Sequence, residues 1–126
     1  MSKSNLYLGN CGEEAALRFL KVSGYRILAR NYKSKLGEID IVAKDRDTIC
    51  FVEVKTRSSD KFGLPQEALS NFKQRQIAKA ALNFLKENKL LDKKARFDVV
   101  SVTYQGDLPK IDLIKDAFEL DSKFTY

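Results

Sequence analysis

The chain has 126 residues, the length of one domain, and its 44% hydrophobic and 32% charged residues can close a single core. It has no histidine and only two cysteines, Cys11 and Cys50, set far apart. That excludes histidine-based triads, His-bound or Cys-only zinc sites and CxxC redox chemistry. The net charge is +6, and residues 57–94 carry nine basic side chains against four acidic ones. Such a concentration suits a polyanion such as nucleic acid; it equally suits a solvated, lysine-rich helix face.

In chain order, Glu13, Ala16, Leu17 and Leu20 recur at helical spacing and predict a first helix over about Gly12 to Val22, with Glu13 on its buried face. Glu14 and Arg18 have the spacing of a solvent-side ion pair. Tyr25 to Tyr32 reads as a strand, Lys33 to Gly37 as a turn and Glu38 to Lys44 as a second strand. In that strand Ile39, Ile41 and Ala43 are expected on one side and Glu38, Asp40 and Val42 on the other. Asp45-Arg46-Asp47 is a short polar turn into a third strand, Thr48 to Thr56, so strands two and three form a hairpin.

The third strand places Ile49, Phe51, Glu53 and Lys55 on one face and Cys50, Val52 and Val54 on the other. Both faces begin apolar, as in a strand covered on both sides. A loop is expected over residues 58–63, and Pro65 suits the first turn of a helix running from Gln66 to about Asn88. Leu69, Phe72, Ile77, Ala80, Ala81 and Phe84 make its apolar stripe. Lys73 and Gln76 fall inside the stripe, and Arg75, Lys79 and Lys86 lie on the far side. Arg96 to Thr103 and Lys110 to Ile114 are two further strands. The order predicts a mixed sheet with helices packed against it.

No apolar stretch approaches the ~20 residues of a membrane span. Met1 to Asn10 lacks the apolar core of a signal peptide. Two isolated cysteines, each a small buried side chain, fit a reducing compartment. The expectation is a cytoplasmic protein without a membrane partner.

A carboxylate and an ammonium on a covered strand are costly unless they pair or serve a ligand. Asp40 comes onto the same face as Glu53 only if the hairpin pairs residues whose numbers sum to an odd value such as 93. Two such carboxylates form a hard-oxygen site suited to Mg²⁺. With Lys55 beside it and Glu13 in support, the set suits phosphodiester hydrolysis. The competing reading of Asp40, Glu53 and Lys55 is a partly buried ion-pair network. For Glu13 it is an interfacial salt bridge, for Lys73 and Gln76 a snorkelling lysine and a tolerated polar contact, for Cys50 simple packing, and for Asp98 an ion pair near a strand end.

Gly12-Glu13 with Ala16, Gly24-Tyr25, Arg30-Asn31, Gly37-Glu38-Ile39-Asp40, Phe51-Val52-Glu53-Val54-Lys55-Thr56-Arg57, Phe62-Gly63, Lys73 and Arg96-Phe97-Asp98-Val99-Val100 resemble the YraN-like family of small bacterial proteins over roughly residues 5–115. That family is similar to archaeal Holliday junction resolvases and to the restriction-endonuclease-like fold with its PD-(D/E)xK signature. The resemblance implies a single nuclease-like domain over 1–126 with an αβββαβ core and a tail from about 116. It implies metal binding by Asp40, Glu53 and the Val54 carbonyl, with Mg²⁺ or Mn²⁺ as cofactor, and a supporting helix-1 glutamate, Glu13. It places Lys73 and Gln76 where relatives carry polar residues. Ile39 stands where the literal motif has proline, a residue that many members of the wider fold lack.

The resulting expectation is a metal-dependent endonuclease acting on DNA, branched DNA included. Arg57, Lys61, Lys73, Arg75, Gln76 and Lys79 line the nucleic acid, and a homodimer would supply paired cuts. The alternatives are a nucleic-acid-binding module that keeps the fold without cutting, and a protein-interaction factor whose basic helix meets an acidic partner.

Overall fold

The computed structural model describes residues 2–57, 69–106 and 108–119. The elements run α1 (Ser2–Val22), β1 (Arg26–Ser34), β2 (Gly37–Asp45), β3 (Thr48–Arg57), α2 (Asn71–Glu87), β4 (Lys94–Gln105) and β5 (Leu108–Ile114). The strands form one sheet in the order β1-β2-β3-β4-β5. Only β3 and β4 are parallel, and α2 lies in the connection between them. The mixed α/β architecture is the one the element order predicts, and it is consistent with a nuclease-like core.

Helix α1 begins ten residues earlier than its periodicity indicates. Gly9 and Gly12 do not stop it, since an isolated glycine costs a helix only about 1 kcal/mol. Gly12 also has a packing reason. A Cβ there would collide with the Thr56 side chain of β3, so glycine lets α1 approach the sheet just where Glu13 emerges. Helix α2 starts later than expected. Ser70 is its N-cap, its hydroxyl accepting from the Lys73 N–H at 3.1 Å, which leaves Leu69 outside the helix. The 58–63 loop, the Pro65 turn and Lys61 lie outside the described residues.

The sheet has a core on each face. Ala16, Leu17 and Leu20 of α1 pack with Ile41, Ala43, Cys50, Val52, Val100 and Val102. On the other face Ile77, Ala78, Ala80, Ala81 and Phe84 of α2 pack with Val42, Ile49, Phe51 and Phe97. The alternation expected in β3 holds. In β2 it does not: Ile41 and Ala43 face α1, but Ile39 packs on the α2 side with Val42. The cause lies in β1. Arg30, opposite Ile41, reaches Glu14 of α1, whereas Tyr32, opposite Ile39, packs with the α2 core. Between them Asn31 is left-handed, φ 49°, a conformation asparagine tolerates better than most residues. Both strands therefore exchange faces at Asn31 and Asp40.

Several local expectations change. Glu14 pairs with Arg30 at 2.7 Å and not along its helix with Arg18. Cys11 is half-buried, while Cys50 is fully packed in the core. Phe72 is 65% exposed. With Leu69 outside the helix, Ile77, Ala80, Ala81 and Phe84 alone set the buried stripe, and Phe72 lies about 140° from Ile77. Residues just beyond β5 fold back on β4: the Ala117 N–H donates to the Phe97 carbonyl at 2.7 Å and Phe118 stacks on Phe97.

Candidate metal centre at the end of strand β3

The β2–β3 ladder pairs Ile41 with Val52 and Val42 with Phe51, the register whose numbers sum to 93. This is the odd register that the two-carboxylate site requires. The ladder ends at Ile41, and the face exchange at Asp40 leaves its carboxylate turned toward β3. There Asp40 Oδ2 accepts the Val54 N–H at 2.8 Å. Glu53 projects to the α2 face, only 6% exposed. The Lys73 ammonium, one turn into α2, sits 3.5 Å from Glu53 Oε2.

The electrostatics tie these groups together. Burial first and the Asp40 charge second push Glu53 up to about 7, against the lowering influence of Lys73 and Lys55. Burial likewise raises Asp40, opposed by the Val54 N–H, by Lys73 and by a hydrogen bond with Glu53. Glu13 is raised by burial first and by Asp40 second. Three carboxylates thus share one region at the carboxyl end of a strand in the parallel pair, the end at which open α/β sheets bind ligands. Among the described residues no three His, Cys, Asp or Glu side chains are close enough to hold one ion together. Asp40 and Glu53 are the core of the site, and Glu13 feels Asp40 from the α1 side.

The other candidates are distributed around this point. Lys55 follows Glu53 on the same face, half-buried, and its charge reaches Glu53. Val54 gives its N–H to Asp40 and is paired with Val100 of β4. Arg57 closes β3 opposite Thr103. Gln76 is half-buried, and its carbonyl oxygen would lie 2.6 Å from a Cβ on Gly37, so α2 presses directly on the β1–β2 hairpin. Arg75 and Lys79 are exposed on the outer side of α2. The site therefore gathers Asp40, Glu53, Lys55, Lys73 and, at its margin, Glu13. It does not gather Arg75 and Lys79, which lead away from it.

A second charged cluster extends beyond the Asp98 ion pair expected from the sequence. Arg96 Nε donates to both oxygens of Asp98 at 3.0 and 3.1 Å. Its Nη2 donates both to Asp45 Oδ2 at 3.0 Å and to the Tyr25 hydroxyl at 2.8 Å. Asp98 is fully buried and also accepts the Asp116 N–H at 2.9 Å. The ion-pair reading of Asp98 is the one observed. Arg96 and Asp45 are 51 residues apart in the chain, so local spacing carries no signal for their contact.

Known proteins place this arrangement in a family. The profile of the uncharacterised protein family UPF0102 matches residues 12–102, a span that holds Glu13, Asp40, Glu53, Lys55 and Lys73. The UPF0102 protein of Geobacter metallireducens is 53% identical over 120 residues, covering 95% of this chain and 98% of its own. That of Syntrophus aciditrophicus is 53% identical over 116 residues, 92% and 91% of the two chains. That of Caldicellulosiruptor saccharolyticus is 51% identical over 113 residues, 88% and 96%. With nearly three-quarters of its length under the family profile and half its residues shared with full-length relatives, the chain belongs to the UPF0102, or YraN-like, family.

Proposed function

We propose that this protein is a divalent-metal-dependent endonuclease that hydrolyses phosphodiester bonds in DNA, branched DNA included. The observation that carries the reading is the convergence of Asp40 and Glu53 on one point, with Lys73 and Lys55 as the nearby cations. Two desolvated carboxylates, both raised by burial and one raised further by the other's charge, call for positive charge. Lys73 supplies only part of it, from 3.5 Å and with a 40% exposed side chain. The donor set is hard oxygen and fits Mg²⁺ or Mn²⁺, held by Asp40 and Glu53 with the Val54 carbonyl as neighbour. When bound, such an ion supplies Lewis-acid charge against a phosphoryl oxygen and makes the attacking water more acidic.

The chain's own residues do the rest. The Val54 N–H holds Asp40 Oδ2 at 2.8 Å and so restrains the carboxylate. Lys55 orients the attacking water and offsets the negative charge that grows on the phosphorus centre. Lys73 holds Glu53 in place from 3.5 Å and, with its side chain 40% exposed, would also reach a phosphate of the substrate. Arg57, Lys61, Arg75, Gln76 and Lys79 contribute sequence-independent contacts to the backbone, which makes binding salt-dependent.

Incubation with labelled four-way-junction and linear DNA tests the reading. Cleavage is expected with Mg²⁺ or Mn²⁺ and none in EDTA. Glu53→Ala and Lys55→Ala should each lower the rate by roughly 100-fold or more while DNA is still bound. DNA binding that is equal in EDTA and indifferent to both substitutions, with no cleavage under any condition, would instead assign a non-catalytic nucleic-acid-binding role.

A further inference from the structure

Helix α2 carries a feature that core packing does not explain. Phe72, Arg75, Gln76 and Lys79 stand at i, i+3, i+4 and i+7, so they share one face of the helix. Phe72, Arg75 and Lys79 are exposed and Gln76 is half-buried. Among the exposed large hydrophobic residues described, Val22, Leu36, Leu91 and Leu108 are aliphatic and Phe72 is aromatic. It is also the one adjacent to the candidate metal centre, since the next residue, Lys73, holds Glu53 at 3.5 Å.

The surroundings of Phe72 are cationic as well as apolar. Gly37 packs against the backbone of Gln76, one helical turn from Phe72. This brings the tip of the β1–β2 hairpin to the same side of α2, with Lys33, Lys35 and half-exposed Leu36 at its surface. A bare aromatic ring at the head of a basic row has one well-defined partner in nucleic acid. A base stacks on the ring while the flanking cations hold its phosphates, and such stacking is indifferent to base identity. Bases inside an intact duplex present no free face, so the ring selects DNA with unpaired nucleotides.

We infer that Phe72 is a stacking platform for an unpaired nucleobase next to the Asp40–Glu53 site, so that the preferred ligand is DNA carrying unpaired nucleotides: a flap, a gap or a single-stranded stretch at a branch point. The inference rests on the nucleic-acid reading above and adds the ring as a specificity-determining residue.

The chain contains no tryptophan, so Phe72→Trp places a single indole at the proposed contact. Its emission is followed in EDTA, and again with Ca²⁺, while single-stranded, gapped and fully paired DNA of equal length are added. DNA binding is recorded in parallel by the anisotropy of a label on the DNA. Quenching by single-stranded and gapped DNA, with little by the paired duplex, is the expected result. Phe72→Ala should weaken binding of gapped DNA about tenfold and leave the duplex unchanged. Binding by anisotropy with unaltered emission and no effect of Phe72→Ala would overturn the stacking role and leave the DNA reading intact. Binding of no DNA under either condition would overturn both. Emission that changes with protein concentration and not with DNA would assign the ring to contact between copies and overturn the inference.

Discussion

Two charged clusters lie on one sheet, offset by about 10 Å along the strands, and they have opposite characters. The cluster around Arg96 lies beside the start of β3 on the α1 side, for Arg96 is in register with Cys50. Asp98, Asp45, the Tyr25 hydroxyl and the Asp116 N–H all find partners there at 2.8–3.1 Å. Asp45 is accordingly held below its ordinary range, by its hydrogen bond to Arg96 above all. At the far end of β3, Asp40, Glu53 and Glu13 are all raised, with burial as the first cause. Acids and bases occur at both ends. What separates them is whether the desolvated charges are answered by hydrogen bonds within the chain. The first cluster is complete as it stands, and the second is under-compensated, as a site awaiting a cation should be.

The largest expected effect comes from breaking the complete cluster. Arg96→Met removes both bonds to Asp98 and leaves a fully buried carboxylate with only the Asp116 N–H. Removing one member of a buried pair costs about 3–5 kcal/mol. Equilibrium urea unfolding of the variant should show a loss of that size. A loss under about 1 kcal/mol would mean that Asp98 is reached by water, and the contrast between the two clusters would fail.

The same manipulation at the other cluster should have the opposite sign. Glu53 has a folded-state pKa near 7 against an ordinary 4.5. The folded protein therefore keeps a proton that the unfolded chain releases, and stability falls as pH rises through that interval. Glu53→Gln removes the charge. It gives up an ion pair to a 40% exposed lysine, which is worth little, and relieves the burial of a carboxylate beside Asp40. The variant should be more stable than the parent by roughly 2 kcal/mol at pH 8, equal to it near pH 4.5, and flatter between. Asp45 behaves inversely: its contribution is present above its ordinary 3.8 and is lost as acid protonates it. A variant destabilised at pH 8 would show that Lys73 and Lys55 already compensate Glu53.

This contrast also shows what the chain reveals before it folds. The α-β-β-β-α-β-β order follows from local periodicity; the hairpin register does not, and the odd sum is only the condition that a shared Asp40–Glu53 site places on it. The route by which Asp40 gets there was hidden. It depends on a left-handed Asn31 one strand away, and no periodicity reports a backbone angle. Phe72 was misplaced because Leu69 was counted into the helical phase, although Ser70, a good N-cap residue three positions before Lys73, offered the correction. The Arg96 cluster was illegible for a different reason. Asp45, read as part of a polar turn, ends β2, and its partners Arg96 and Lys115 come from β4 and the segment after β5, contacts that only the finished sheet creates.

The smallest effect sharpens the comparison most directly. Divalent ions should stabilise the protein through Asp40 and Glu53, since anything that binds the folded state alone raises stability by mass action, about 1.4 kcal/mol at ten times the dissociation constant. Binding requires ionised carboxylates, and Glu53 holds its proton up to near neutrality while burial raises Asp40 as well. Thermal unfolding with Mn²⁺ should therefore show a rise in Tm at pH 8 that shrinks at pH 5.5, the reverse of the metal-free trend. Glu53→Gln should abolish the rise. Asp45→Asn should preserve it even though it lowers the starting Tm, because the Asp45 carboxylate is already committed to Arg96 and Lys115. A rise that survives Glu53→Gln and disappears with Asp45→Asn would transfer the cation site to the other end of the sheet, and with it the proposed chemistry.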